Sequence, residues 1–285
     1  MMKQIAILSG KGGTGKTTLV ASFAALAKGT CVLADCDVDA PDLHLILKPD
    51  VIERMEFIGS KTARIDMEKC VCCGVCEDAC RFDAITGCEI DPIMCEGCGV
   101  CSYVCSEEAI QLEDNISGYA FISDTRFGRI SHAELNIAEE ASGKLVTLVR
   151  NNAREIAERG GKNLIIIDGS PGIGCPVIAS LTGVNLALIV TEPTQSGLHD
   201  LERVLDLTNH FDVEAMVCIN KHDINSEMTD RIQRFCGDRG VDVVGRIPFD
   251  SVVTEAMVEG KTVVEFNDFS VSDEIKRIWE IVRQR

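Results

Sequence analysis

Two groups of residues in this sequence carry recognisable chemistry. Ten of the fifteen cysteines fall between Cys70 and Cys105, and eight of them form two copies of one spacing. Cys70, Cys73, Cys76 and Cys80 recur at a shift of 25 as Cys95, Cys98, Cys101 and Cys105. Gly74 recurs as Gly99, Val75 as Val100, and Ala84-Ile85 as Ala109-Ile110, so the repeat extends beyond the thiols and implies a pseudo-twofold unit. Three closely spaced thiolates suit three irons of a cubane, with a more distant cysteine supplying the fourth. Zinc is the alternative metal, although zinc knuckles use paired rather than tripled cysteines. The second group is Gly10-Lys11-Gly12-Gly13-Thr14-Gly15-Lys16-Thr17, which fits G-x4-G-K-[ST]. Glycines let backbone N–H groups close around phosphate oxygens, and the helix that follows adds partial positive charge. In such a loop Lys16 reaches the β- and γ-phosphates and the Thr17 hydroxyl ligates Mg2+. With Thr18, these residues are the candidate nucleotide-binding set.

Both groups need elements to hold them. Short apolar runs at Gln4–Leu8, Cys31–Ala34, Leu164–Ile167, Leu186–Val190, Ala215–Ile219 and Val241–Val244 read as buried parallel strands. Stretches of helical period lie between several of them: Thr17–Ala27, Leu145–Arg159, Leu198–Asn209 and Glu227–Cys236. The alternation predicts an α/β fold, a mostly parallel sheet with helices on both faces. Gly118–Leu135 alternates polar and apolar residues and predicts an added hairpin. From Ala63 to Asp114 there are 12 acidic and 3 basic residues, a net charge of −9 against −17 for the whole chain. This composition break predicts a small α+β domain at 63–114, inserted into a larger one made of 1–62 and 115–285.

The phosphate loop narrows the comparison. With Lys11 early in it, the loop resembles the deviant Walker A of the MinD/ParA/nitrogenase-iron-protein class of P-loop ATPases. The resemblance implies a dimer, homo- or heteromeric with a related ATPase, with ATP at its interface and Lys11 reaching the partner's phosphates. Asp35-Cys36-Asp37-Val38-Asp39 resembles switch I, where an aspartate orients the attacking water; alignment of the strand end favours Asp37 over Asp35. Leu164-Ile165-Ile166-Ile167-Asp168 and the following Gly169-Ser170-Pro171-Gly172 resemble Walker B and switch II, with Asp168 holding Mg2+ through water. Glu192-Pro193-Thr194, Asn220 and Ile247-Pro248-Phe249-Asp250 resemble the base-binding edge, with Asn220 and Pro248 at adenine. Asn220-Lys221-His222-Asp223 also fits the guanine-reading N-K-x-D, but the Lys11-containing loop favours ATP/ADP.

The cysteine repeat resembles bacterial two-cluster ferredoxins, whose rule gives the fourth cysteine to the other cluster. The resemblance implies two 4Fe–4S clusters, one on Cys70, Cys73, Cys76 and Cys105, the other on Cys95, Cys98, Cys101 and Cys80. Proline usually follows the fourth cysteine, whereas Arg81 and Ser106 stand here. Cys72 and Cys88 have no repeat counterpart and read as structural, as do Cys31, Cys36, Cys218 and Cys236. Cys175, seven residues after Asp168, reads as a loop cysteine, with a redox or transient ligand role as the alternative.

The charge and the apolar runs bound the function. An excess of acidic residues argues against a nucleic-acid partner. No apolar run reaches membrane-spanning length and the start lacks a leader pattern, so a cytoplasmic, reduced protein is expected, with thiols as ligands rather than disulfides. Ile275, Ile278, Trp279 and Val282 line one face of a C-terminal helix, expected to dock on the core; membrane binding of that stripe is the alternative. The reading is an ATP-hydrolysing iron–sulfur protein that gates electron transfer to an unidentified redox partner. A cluster or metal-cofactor carrier delivering to an apo-protein is the alternative, and a non-redox positioning switch fits least.

Overall fold

The computed structural model describes residues 2–136, 139, 142–266 and 270–285. Along the chain β1 (Lys3–Ser9), α1 (Lys16–Ala27), β2 (Cys31–Asp35) and the short α2 (Leu43–Leu47) lead into a long strand, β3 (Asp50–Ile65). Then come α3 (Val75–Ala79), β4 (Ile85–Thr86), β5 (Glu89–Ile90) and α4 (Val100–Val104), followed by β6 (Ile110–Thr125) and β7 (Gly128–Leu135). Strands and helices alternate from there: α5 (Ser142–Arg159), β8 (Leu164–Pro171), α6 (Cys175–Leu181), β9 (Leu186–Thr191), α7 (Gln195–His210), β10 (Glu214–Asn220), α8 (Ser226–Asp238) and β11 (Asp242–Ile247). The chain closes with α9 (Val252–Val258), α10 (Val263–Phe266) and α11 (Ser270–Gln284). Two compact units result. The larger contains Arg54 and the chain before it, Ala120–Glu134 and Ser142–Arg285; the smaller contains Met55–Tyr119 and a short segment beginning at Leu135.

In the larger unit the strand order is β11-β10-β9-β1-β8-β2-β7, each of these pairs parallel. Strands buried on both faces read as continuous apolar runs, and Ile5–Leu8 and Ile165–Ile167 are such runs. Ile5, Ile7, Leu33 and Ile166 join a cluster with α1 and α11 on one face. Ala6 and Leu8 alternate to the other face and are equally buried, where α5, α6 and α7 pack on the strands. The α/β fold expected from the alternation is therefore present. Strands β6 and β7 are sheet neighbours joined by Arg126-Phe127, where the predicted hairpin lay.

Helix α11 uses its apolar stripe internally. Ile275, Ile278, Trp279 and Val282 are buried, and the Trp279 ring lies 5.0 Å from Phe23 of α1. Among the described residues no helix is long and apolar enough to cross a membrane.

In the smaller unit the sequence repeat becomes a geometric one. Gly74 and Gly99 precede α3 and α4 with φ of 79° and 78°, and Cys80 and Cys105 end those helices with φ of −81° and −79°. Asp66 donates its N–H to the Ala109 carbonyl (2.7 Å), while Asp91, 25 residues on, donates to the Ala84 carbonyl (2.8 Å). Each half thus starts by bonding to the end of the other. Ala63, Ile85, Cys101 and Ile110 form the small core, packed by Cys76, Cys80, Cys95 and Cys105. So few apolar residues make a marginal core, and bound metal is the usual supplement in domains of this size.

Candidate nucleotide and iron–sulfur sites

Parallel pairing sets the nucleotide site. Asp35 at the end of β2 is the register partner of Asp168 on β8, and Ile7 of β1 pairs with Asp168 from the other side. Open parallel sheets bind ligands beyond the C-terminal ends of their strands, and the phosphate loop lies there, between β1 and α1. Gly15 sits at φ 91° where a Cβ would meet Asn220 Nδ2 at 2.4 Å, so both backbone and space require glycine. It precedes α1 without capping that helix through a side chain, so the first-turn N–H groups remain for a ligand.

Lys16 is buried at the centre. Its ammonium contacts Asp168 Oδ1 and lies 3.6 Å from Asp37 Oδ2. Burial works against that charge, but Asp168, Asp37 and Asp35 outweigh it and hold Lys16 above the ordinary lysine value. Asp35 is enclosed; burial, reinforced by Asp168, pushes its pKa well above the usual carboxylate range, and Oδ1 accepts from the Asp37 N–H (3.1 Å). Burial raises Asp37 to about 6 against the pull of Lys16. The two switch-like segments are stitched together: Cys36 N–H donates to the Asp168 carbonyl (2.8 Å) and Ser170 Oγ to the Cys36 carbonyl (2.6 Å).

A cavity of about 620 Å³ opens beside this cluster. Gly12, Gly13, Thr14, Gly15, Lys16, Thr17, Thr18 and Asp37 line one part of it, and Asn220 and Pro248 another. Gly10, Lys11, Asp35 and Asp168 lie outside the lining. Asn220 Nδ2 donates to the Thr14 carbonyl (2.7 Å), tying the base-side strand β10 to the loop. Asp223 is exposed, accepts from Phe249 N–H (2.7 Å) and does not line the cavity, contrary to what a guanine-reading aspartate needs. The chemistry fits Mg2+: buried Asp35 Oδ2 and Asp168 Oδ2 have no hydrogen-bond partner beside a phosphate cradle.

Sequence reasoning missed the setting of Lys11. Its Nζ lies 3.2 Å from Glu192 Oε2, while Lys221 Nζ lies 2.5 Å from Glu192 Oε1. Burial acts to raise Glu192, but hydrogen bonds from Lys221 and Lys11 hold it below the usual carboxylate value. Glu192 is thus a lysine clasp and not part of the cavity lining. Two lysines far apart in sequence gave no signal of this.

The cysteines sort into two neighbourhoods. Cys80, Cys95, Cys98 and Cys101 line one small cavity together with Ile85 and Val100. Cys76 is raised by burial and then by the nearby thiols of Cys70 and Cys105. Backbone N–H groups aim at sulfur: Ala63 donates to Cys95 Sγ and Ala109 to Cys105 Sγ, each at 3.4 Å. Hydrogen bonds to cysteine sulfur are one of the contacts by which proteins tune iron–sulfur potentials in general. The donor set, all thiols around a pocket with apolar walls, fits iron–sulfur ligation. Cys72 and Cys88, read from sequence as structural, lie beside Cys70, all three Sγ atoms within 4.8 Å of one another. Cys31, Cys36, Cys218 and Cys236 are buried, and Cys175 is exposed at the start of α6.

The profile of the CobQ/CobB/MinD/ParA nucleotide binding domain matches residues 5–263. The chain belongs to this family. The uncharacterized protein MJ0578 of Methanocaldococcus jannaschii is 35% identical, over 100% of this chain and 98% of its own. The iron-sulfur cluster carrier protein of Pyrococcus abyssi is 24% identical, over 93% of this chain and 80% of its own. The MinC:MinD cell division protein complex of Aquifex aeolicus shares the fold, with a TM-score of 0.60 at 20% identity, covering 99% of this chain and 96% of that one. The match runs from β1 to the start of α10, so the chain is a nucleotide-binding ATPase of the MinD/ParA type.

Proposed function

We propose that this chain is a nucleotide-switched dimer that hydrolyses ATP with Mg2+ and couples the cycle to electron transfer through two 4Fe–4S clusters. Residues 63–114 are the redox insertion, and 1–62 with 115–285 the ATPase. The observation that carries the redox half is the cavity lined by Cys80, Cys95, Cys98 and Cys101, which gathers the crossed set implied by the ferredoxin spacing. When bound, Mg2+ neutralises phosphate charge and each cluster carries one electron.

The chain's own residues do the rest. Gly12 to Gly15 present backbone N–H groups to phosphate, and Lys16 leaves Asp168 for the β- and γ-oxygens. Thr17 and Asp168 hold the metal. Asp37, which lines the cavity, orients the attacking water. Asn220 and Pro248 flank adenine, a choice supported by the position of Asp223. In the single chain Lys11 is held by Glu192; closure of the dimer moves it to the opposite active site, where it stabilises charge developing on phosphate. Lys11→Ala is therefore expected to bind ATP within about threefold of the wild type but to lose most hydrolysis and ATP-dependent dimerisation. Turnover assays and light scattering check this, and normal hydrolysis by a monomeric variant would contradict it.

A carrier role is the second reading, supported by the name of the Pyrococcus abyssi relative. Labelled iron separates the two. Protein reconstituted with it and cycled with ATP beside an acceptor should keep its label while electrons pass. Label leaving with the acceptor would overturn electron transfer in favour of delivery.

A further inference from the structure

We propose that Cys72 and Cys88 form a redox-active dithiol/disulfide pair beside the first cysteine set. This rests on the reading that Cys70 is committed to a cluster, because three thiols lie within 4.8 Å of one another and only these two are then free to pair.

Backbone strain points the same way. Cys72 has φ 52° and Cys88 φ 71°, in the left-handed region where a side chain is costly. The repeat offers an internal comparison. The counterpart of Cys72 in the second half is Gly97, at φ 61°, so the same backbone is there built with glycine. Cys88 stands in the two-residue turn Gly87-Cys88 between β4 and β5, with φ of 56° and 71°. Turns with both central φ values positive favour Asn, Asp and Gly. Two cysteines thus occupy two positions made for glycine or asparagine, and the two strained positions bring their sulfurs together. Neither has a counterpart thiol in the second half of the repeat, so cluster symmetry does not require them. Cys72 is exposed, accessible to a partner thiol or disulfide.

The chemistry balances with the redox centres already proposed. Reduction breaks the Cys72–Cys88 S–S bond with two electrons, one from each of two one-electron iron–sulfur centres, and two protons from water yield two thiols. Oxidation reverses this, or a soluble disulfide takes the two electrons and two protons by exchange. The pair thereby converts one-electron into two-electron transfer, and the substrate class is a disulfide or dithiol partner.

The test uses the full chain, reconstituted anaerobically with iron and sulfide, as wild type and as the double variant C72S/C88S. Both are equilibrated in dithiothreitol redox buffers, titrated for electron uptake, alkylated and peptide-mapped. Equal iron in the two proteins is expected, with about two more electrons per chain in the wild type and a Cys72–Cys88 linked peptide at the oxidising end. Equal electron uptake, or no such peptide, would overturn the proposal. Iron lost only from the double variant would also overturn it, marking the two as ligands. Should the wild type itself take up no iron, the cluster reading fails separately. The wild-type map alone then decides: a Cys72–Cys88 link upholds the pair, and a link to Cys70 overturns it. The same map decides if the variant does not fold.

Discussion

Lys16→Ala is expected to eliminate measurable ATP binding. The ammonium is buried and held by three carboxylates, Asp35, Asp37 and Asp168, with Asp168 in direct contact. A hydrogen bond to a charged group is worth about 1.5–3 kcal/mol, or roughly 10- to 150-fold in affinity, and Lys16 serves two phosphates. The loss in affinity should therefore be at least about 100-fold. A second effect follows from the carboxylates. Without the lysine, the buried Asp35 and Asp168 and the half-buried Asp37 face one another with no cation, so the variant should depend on added Mg2+ for stability. Calorimetric titration, with circular dichroism to verify folding, checks both effects. Near wild-type affinity in a folded variant would remove Lys16 from the site.

The second large effect is in iron content. Reconstituted protein should hold about eight irons per chain, and Cys80→Ala about four. The crossed assignment is what makes this informative. Cys80 belongs to the first half of the repeat, yet it shares a cavity with Cys95, Cys98 and Cys101. Its loss should spare the centre on Cys70, Cys73, Cys76 and Cys105, and Cys105→Ala should spare the other. Iron assay with EPR of the reduced variants distinguishes the two centres. A Cys80→Ala protein that retains about eight irons, or that loses the first-half centre instead, contradicts the crossed sets.

Much of the fold was legible because its signals are local. The strands beside the phosphate loop are buried on both faces, so they appear as unbroken apolar runs such as Ile5–Leu8 and Ile165–Ile167. The loop itself has a tight residue code, since Gly13 and Gly15 sit at φ 78° and 91° where other residues are costly. The cysteine repeat reappeared as paired φ values and exchanged hydrogen bonds. The compact smaller unit runs from Met55 to Tyr119, with a short segment beginning at Leu135, and β3 and β6 are long strands that mix polar and apolar residues along their length. The sites most opaque to sequence depend on contacts between distant residues. Glu192 joins Lys11 to Lys221 only through the packing of three loops at the strand ends. Cys72 and Cys88 meet only because a two-residue turn and a left-handed residue point both sulfurs at Cys70.

In the proposed function, nucleotide state and redox state are coupled. The chain runs from Asp37 through α2, whose Leu45 and Ile46 line the nucleotide cavity, into β3 and so to the cysteine repeat. If ATP binding changes the free energy of cluster reduction, linkage requires reduction to change ATP affinity by the same factor. Couplings of about 1–3 kcal/mol correspond to roughly 5- to 150-fold. The decisive measurement is ATP affinity of the reconstituted protein, taken once under dithionite and once under mild oxidant at fixed Mg2+. Affinities at least about fivefold apart are expected, with a matching shift of cluster potential between ATP and ADP; equal affinities in the two redox states would contradict the coupling.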